Sequence, residues 1–346
     1  MARFCACAGF QGAVAPPCPG TRQRTRGWRT LFSCATSMKG SNLKRRPSTL
    51  SVLGTEQANH AAADLDRKSS LEIAQLINAE DATVALAVRR ALPQIARAID
   101  EVSAALRRSG RLIYVGAGTS GRIAALDAVE VLPTFNVDRV HFIIAGGAKA
   151  LASASEISED DSTAGRKEMS KRRPGKRDVV VGIASSGRTP FTVAAIAEAR
   201  RRGARTIAVT CNTNSPLERA AHFAIVTQVG PEVLAGSSRM KAGTAHKMVL
   251  NMISTAAMTR LGYVYGNLMV NVVPKNEKLM QRAVGILEQA TGADHESARG
   301  ALKVSGNRTP VALVMLAAGV GRAEAMAALK KAKGNVRKAI ADAKPR

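Results

Sequence analysis

The sequence predicts an α/β protein: a doubly wound, five-stranded parallel sheet followed by a small all-helical domain. Three observations predict it. Five short apolar runs each close in a Gly, Ser or Thr turn. Stretches with helical apolar spacing lie between them. Beyond about residue 275 the strand pattern stops, and an Ala-rich, Leu/Val-periodic stretch begins. Continuous apolar strands alternating with helices argue for a parallel sheet covered on both faces.

The elements follow in order. Residues 71–109 carry apolar side chains at three- and four-residue spacing and read as helix, with a kink or break at Pro93 and an end at Gly110. The strands are RLIYV at 111–115, HFIIA at 141–145, DVVVGIA at 178–184, RTIAVT at 205–210 and HFAIVT at 222–227. Helical patterns occupy 119–130, 149–158, 190–202 and about 243–259. Glycines 292, 300, 306, 321 and 334 divide residues 276–346 into about four short helices. The domain reading is thus a basic leader at 1–54, a sheet domain at 55–275 and a helical domain at 276–346.

Composition narrows the function. Of 346 residues, 51 are Lys or Arg and 26 are Asp or Glu, a formal charge of +25. Nine of the basic residues lie in residues 1–54, which contain no acid. Four of the five cysteines lie there too, leaving Cys211 alone in the body. This leader reads either as a start codon called too early, with Met38 the true start, or as a disordered tail or transit peptide. One cysteine in a large body fits a reducing compartment. With no CxxC pair and scattered histidines, no metal site is expected. Only seven aromatic residues lie beyond residue 32, too few for a base-stacking surface. The basic run at 166–177 reads as a solvated loop, its Pro174-Gly175 marking a turn. No apolar run is long enough to span a bilayer. The expected partner is therefore a small molecule, with no nucleic acid and no membrane.

In doubly wound sheets ligands bind beyond the carboxyl ends of the strands. The loop after the first strand, GAGTSGR at 116–122, matches GxGxxG. The second strand ends in Ala145-Gly146-Gly147 without the acid that would hold a ribose, so a dinucleotide is not expected. The loop after the third strand, ASSGRT at 184–189, resembles the first. Thr119, Ser120, Ser185, Ser186 and Thr189 each offer a hydroxyl beside a helix N-terminus, where unpaired N–H groups and the dipole favour an anion. That suits a phosphosugar; loops that merely cap helices are the alternative. Glu130 is read as closing a helix, where the dipole disfavours an acid. Glu156, Glu159, Asp160 and Asp161 form an acidic cluster, and on a helix Glu156 would share a face with Glu159 and Asp160. Two carboxylates with separated pKa values can serve as acid and base. GSSRMKAGT at 236–244 is a polar, basic helix start, and His246 just beyond it is the one histidine singled out.

The runs GAGTSGR, DAxE-xx-PT, IAGG, VVVGIASSGRTP and GSSRMKAGTA-x-KxVLNMIST, with TEQAN at 55–59 and GNLMVNV at 266–272, resemble N-acetylmuramic acid 6-phosphate etherases. That family lies in the sugar isomerase (SIS) superfamily, and the likeness spans about residues 55–345. It implies a flavodoxin-like fold, a homodimer, and elimination of D-lactate followed by addition of water, without metal or organic cofactor. It implies Glu130 as proton donor to lactate and Glu159 as the second acid/base. It also implies phosphate binding by Thr119, Ser120, Ser185, Ser186 and Thr189, joined by Ser237, Ser238 and Lys241. Three positions depart from the family pattern: VEVLPT at 129–134 for SECPPT, Ala148 for an acid, and His246 for Gln. The competing readings are a non-catalytic sugar-phosphate regulator, an SIS-type transcription regulator and an aldose–ketose isomerase.

Overall fold

The computed structural model describes residues 53–153 and 157–344. The leader at 1–54 falls almost wholly outside them, and so do its readings. Short 3-10 turns open the described chain, and Ser69 starts the first long helix, α1 (Ser70–Arg90). Ser69 Oγ accepts from the Glu72 N–H while the Glu72 carboxylate accepts from the Ser69 N–H, a reciprocal capping box. The chain breaks at Ala91 and resumes as α2 (Leu92–Arg107). Pro93 explains the break: in the first turn of α2 its missing N–H costs no helical bond. The helix ends as expected beside Gly110, but the left-handed residue is Ser109 (φ 59°). Position 110 must be glycine for another reason: a Cβ there would lie 1.8 Å from the Arg177 carbonyl oxygen.

Five strands follow: β1 (Leu112–Gly116), β2 (Val140–Ile144), β3 (Val179–Ile183), β4 (Arg205–Thr210) and β5 (Phe223–Val226). All pairs are parallel, in the order β2-β1-β3-β4-β5. The chain therefore steps one way from β1 to β2 and the other way from β1's far side to β3. A crevice opens between β1 and β3 at that reversal.

Period-two alternation sends Leu112 and Tyr114 to one face and Ile113 and Val115 to the other. The first face packs against α1, α2, α3 (Gly118–Phe135) and α7 (Lys241–Leu261). The second packs against α4 (Ser162–Arg172), α5 (Pro190–Arg201) and α6 (Pro216–Ala220). Tyr114 is fully buried, and its hydroxyl donates to Asp127 of α3 at 2.9 Å. Ser254 of α7 donates to the other Asp127 oxygen at 3.0 Å. One carboxylate thus ties β1, α3 and α7 together, and burial raises its pKa.

Three sequence readings need correction. The described part of 149–158 is not α-helical: 3-10 turns cover Gly147–Leu151 and Ile157–Glu159. Residues 154–156 lie outside the described residues, so the predicted Glu156 pairings do too. The basic run at 166–177 is not all loop, because α4 runs through Arg172 before Arg173 turns left-handed (φ 47°). The helix bearing Glu130 continues through Pro133 to Phe135 and is capped by Asn136 (φ 54°), whose N–H donates to Leu132. Glu130 is not its last residue, so the dipole argument loses its footing.

Among the described residues, five helices rather than about four follow: α8 (Glu277–Thr291), α9 (His295–Val304), α10 (Thr309–Ala318), α11 (Arg322–Lys331) and α12 (Val336–Ala343). Gly300 lies inside α9 instead of ending a helix. These helices bury Leu287, Leu302, Leu313 and Val336 in a core of their own, together with Val270 and Val272. Among the described residues, no single helix is long and apolar enough to cross a membrane.

Candidate active site

The loops after β1 and β3 meet in a cleft of about 280 Å³. Its walls carry Thr119 and Ser120 from the start of α3, Ser185, Ser186 and Thr189 from the loop before α5, and Ser238. Glu56, Arg122 and Glu159 complete the polar lining. The two β/α turns bring hydroxyls to one point because β1 and β3 are hydrogen-bonded neighbours in register. Gly118 enters α3 with φ +50°, so the chain turns sharply from strand into helix. A Cβ on Gly118 would lie 2.6 Å from Glu159 Oε1, which places the Glu159 carboxylate at the N-terminus of α3. The helix dipole favours a negative charge there.

Residues that the sequence reading did not assign hold this cleft in shape. Asn212, just past β4, donates to the Ser185 carbonyl (2.9 Å) and to Thr55 Oγ1 (3.1 Å). Its own oxygen accepts from the Gly54 N–H at 3.0 Å. Asn212 therefore joins the Ser185 loop to the TEQAN segment; its place after a strand was the available signal. Arg122 donates to the carbonyls of Ala150 (3.0 Å) and Ser153 (2.8 Å), fixing the segment that leads towards Glu159. The arginine of GAGTSGR thus has a bracing task as well as a charge at the cleft.

Other expected site residues are placed elsewhere. Lys241 is 3% exposed and forms an ion pair with Glu80 of α1. Its N–H and that of Ala242 donate to Glu232, each at 2.9 Å, so an acid caps the N-terminus of α7. Glu232 is itself buried, which raises its pKa despite those two donors. The Lys241 ammonium anchors α7 to α1 and is not among the cleft-lining groups, and neither is Ser237. Glu130 also lies apart from the cleft. It is exposed, twelve residues beyond Gly118, or about 18 Å along the helix axis at the usual rise. It lines a separate cavity of about 780 Å³ with Lys247, Asn251 and Asn267. A single chain thus brings six of the eight proposed phosphate contacts to Glu159 but does not bring the two proposed catalytic acids together.

His246 lies beneath the cleft. It is fully buried, and burial lowers its pKa to about 4. Nδ1 lies 3.4 Å from Ser120 Oγ and Nε2 lies 3.8 Å from Cys211 Sγ. Among the described residues, no group of three or more His, Cys, Asp or Glu is arranged to hold a metal ion.

This arrangement of hydroxyl-rich loops on a β2-β1-β3-β4-β5 parallel sheet places the chain among sugar isomerase-fold proteins. Residues 94–200 match the model of the glucokinase regulatory protein N-terminal SIS domain. An N-acetylmuramic acid 6-phosphate etherase from Symbiobacterium thermophilum is 53% identical over 274 residues, 78% of this chain and 91% of that protein. N-acetylmuramic acid 6-phosphate etherase 1 of Bacillus licheniformis is 45% identical over 295 residues, 85% and 97% of the two chains. A solved phosphoheptose isomerase from Francisella tularensis aligns over 56% of this chain and 100% of its own at 20% identity, with a TM-score of 0.42. The chain belongs to the N-acetylmuramic acid 6-phosphate etherase family.

Proposed function

We propose that this chain is a cytoplasmic, homodimeric N-acetylmuramic acid 6-phosphate etherase that eliminates D-lactate and then adds water. The observation that carries the reading is the single cleft where two hydroxyl-rich loops meet Glu159 at a helix N-terminus. Thr119, Ser120, Ser185, Ser186, Thr189 and Ser238 would hold the 6-phosphate through hydroxyls and the N–H groups opening α3 and α5. The ring-opened sugar presents an aldehyde that acidifies the C2 proton. Glu159 takes that proton, the C3–O bond breaks, and D-lactate leaves with a proton from Glu130. Water then adds across the C2=C3 bond, its hydroxyl to C3 and a proton to C2, giving N-acetylglucosamine 6-phosphate. This places the chain in cell-wall amino-sugar catabolism. No step needs a cofactor.

The separation of Glu130 from the cleft supports the homodimer. Leu126, Val129 and Leu132 stand 47%, 59% and 48% exposed along one face of α3 beside Glu130. Such a stripe suits burial against a second copy, whose cleft would receive Glu130. We read residues 55–275 as the sugar-phosphate domain and 276–346 as a helical domain, because α8–α12 have a separate core.

Intermolecular complementation tests the reading. Glu130→Gln and Glu159→Gln should each abolish lactate release. Mixed and refolded together, they should regain up to about a quarter of wild-type activity, since some dimers then hold one intact site. Lack of recovery in verified heterodimers would place both acids in one chain's site and overturn the shared-site reading.

A further inference from the structure

We propose that His246 is a positioning residue: it holds the Ser120 hydroxyl as a hydrogen-bond donor to an oxyanion in the cleft, through a relay that begins at the Cys211 thiol. The proposal rests on the reading of the cleft as a phosphate site and assigns a task to the buried histidine beneath it.

The geometry is a continuous file of polar atoms running from the core to the cleft. Thr227 Oγ1 lies 3.5 Å from the Thr210 carbonyl oxygen, which accepts its proton. Cys211 Sγ lies 3.6 Å from Thr227 Oγ1 and 3.8 Å from His246 Nε2. His246 Nδ1 lies 3.4 Å from Ser120 Oγ, and Ser120 lines the cleft. Every member is more than nine-tenths buried, and only Ser120 reaches the cleft, so the bonds behind it run through low-dielectric surroundings.

Two proton arrangements satisfy the file, and they have opposite consequences at the cleft. In the first, Nε2–H points to the sulfur, a weak acceptor, and the Ser120 O–H donates inward to Nδ1. Ser120 would then present only lone pairs to the cleft and repel an anion. In the second, the thiol S–H donates to Nε2, Nδ1–H donates to Ser120 Oγ, and the Ser120 O–H points outward. Ser120 gives a bound phosphate a charge-assisted hydrogen bond only in the second arrangement, and such bonds are about twice as strong as neutral ones. An anion therefore selects the Nδ1–H tautomer. The other groups permit this choice: burial keeps the imidazole neutral near pH 7 and holds the Cys211 thiol protonated, its pKa pushed up to about 12. Glutamine can replace the imidazole here, because its amide offers an N–H to Ser120; leucine fills similar space and offers nothing.

The test uses inorganic phosphate and the full chain. With ¹⁵N-histidine labelling, long-range ¹H–¹⁵N correlation spectra report which ring nitrogen of His246 carries the proton. Saturating phosphate should give the Nδ1–H tautomer. The phosphate Kd should rise about tenfold or more in Ser120→Ala, several-fold in His246→Leu, and return close to wild type in His246→Gln. In turnover the His246→Leu change should appear in KM more than in kcat, as loss of ground-state phosphate binding requires. If Ser120→Ala leaves the Kd unchanged, the phosphate reading of the cleft fails. If Ser120→Ala weakens phosphate but His246 stays Nε2–H with phosphate bound, or His246→Leu binds as wild type, the relay alone fails.

Discussion

Gly165→Ala should damage both stability and catalysis, although Gly165 does not line the cleft. Gly165 lies in α4 where that helix crosses α5. A Cβ at this position would sit 2.1 Å from the Phe191 carbonyl oxygen and under 3 Å from two more Phe191 backbone atoms. Those atoms belong to the first turn of α5 and cannot rotate away. A tolerable contact needs about 1 Å more, so α4 must lift by roughly that distance. Overpacking of this kind costs about 1–3 kcal/mol. The chain just before α4 is the Ile157–Glu159 turn, so the shift carries the Glu159 carboxylate away from Gly118. With Glu159 as the proposed base, a displacement of about 1 Å should reduce the rate by about a hundredfold. Urea unfolding and lactate release, measured on the same preparation, read the two effects. Gly285→Ala in α8 is the control: nothing lies within 4 Å of its Cβ position, and it should stabilise by about 0.5–1 kcal/mol with unchanged activity. A Gly165→Ala protein with wild-type stability and full activity would refute the idea that α4–α5 contact sets the position of Glu159.

Other expectations follow from the buried charges. Glu198 accepts from Arg201, Arg202 and Ser170; Arg201 lowers its pKa most, the others add to this against the cost of burial, and the result is about 2. A lowered acid pKa stabilises the fold above the unfolded value of 4.5, and this is lost as pH falls towards 2. Glu198→Gln should cost about 1–2 kcal/mol at pH 7, allowing for solvent around Arg201, and the difference should vanish at about pH 2 in denaturant titrations. His246 behaves oppositely in charge but alike in sign: the unfolded chain takes up its proton below pH 6.5 and the folded one only near 4, so stability falls with pH between them. His246→Gln should flatten the stability profile across that window. Lys241→Met, which leaves Glu80 unpaired but removes a buried cation, should lower thermal stability while changing the substrate KM less than threefold; a large rise in KM would return Lys241 to the phosphate site.

The strands were legible because each is a continuous apolar run ended by a small-residue turn, and the structure moves their ends by one residue at most. The α4 helix was not. It exposes Arg166 and Lys167, and buries only Gly165 and Met169. A helix anchored at two such positions writes no apolar stripe. The end of α3 was misplaced for a related reason: Pro133 signals termination, yet the backbone stays helical for two more residues before Asn136 turns it. The hydroxyls of the cleft were readable because loop position after a parallel strand implies convergence. Partnership was not readable. Nothing in GSSRMKAGT shows that Lys241 turns inward to Glu80, some 160 residues earlier in the chain, while Ser238 faces the cleft. Cys211, Ser120 and His246 come from three separate elements, so only the fold brings them into line.

Lactate release in oxygen-18 water tests the central claim most directly. N-acetylmuramic acid 6-phosphate is incubated with the protein, and both products are analysed by mass. Elimination followed by hydration predicts free D-lactate without label and N-acetylglucosamine 6-phosphate labelled at C3. Saturable binding of the sugar phosphate with no lactate would contradict the account and leave a sugar-phosphate regulator in its place.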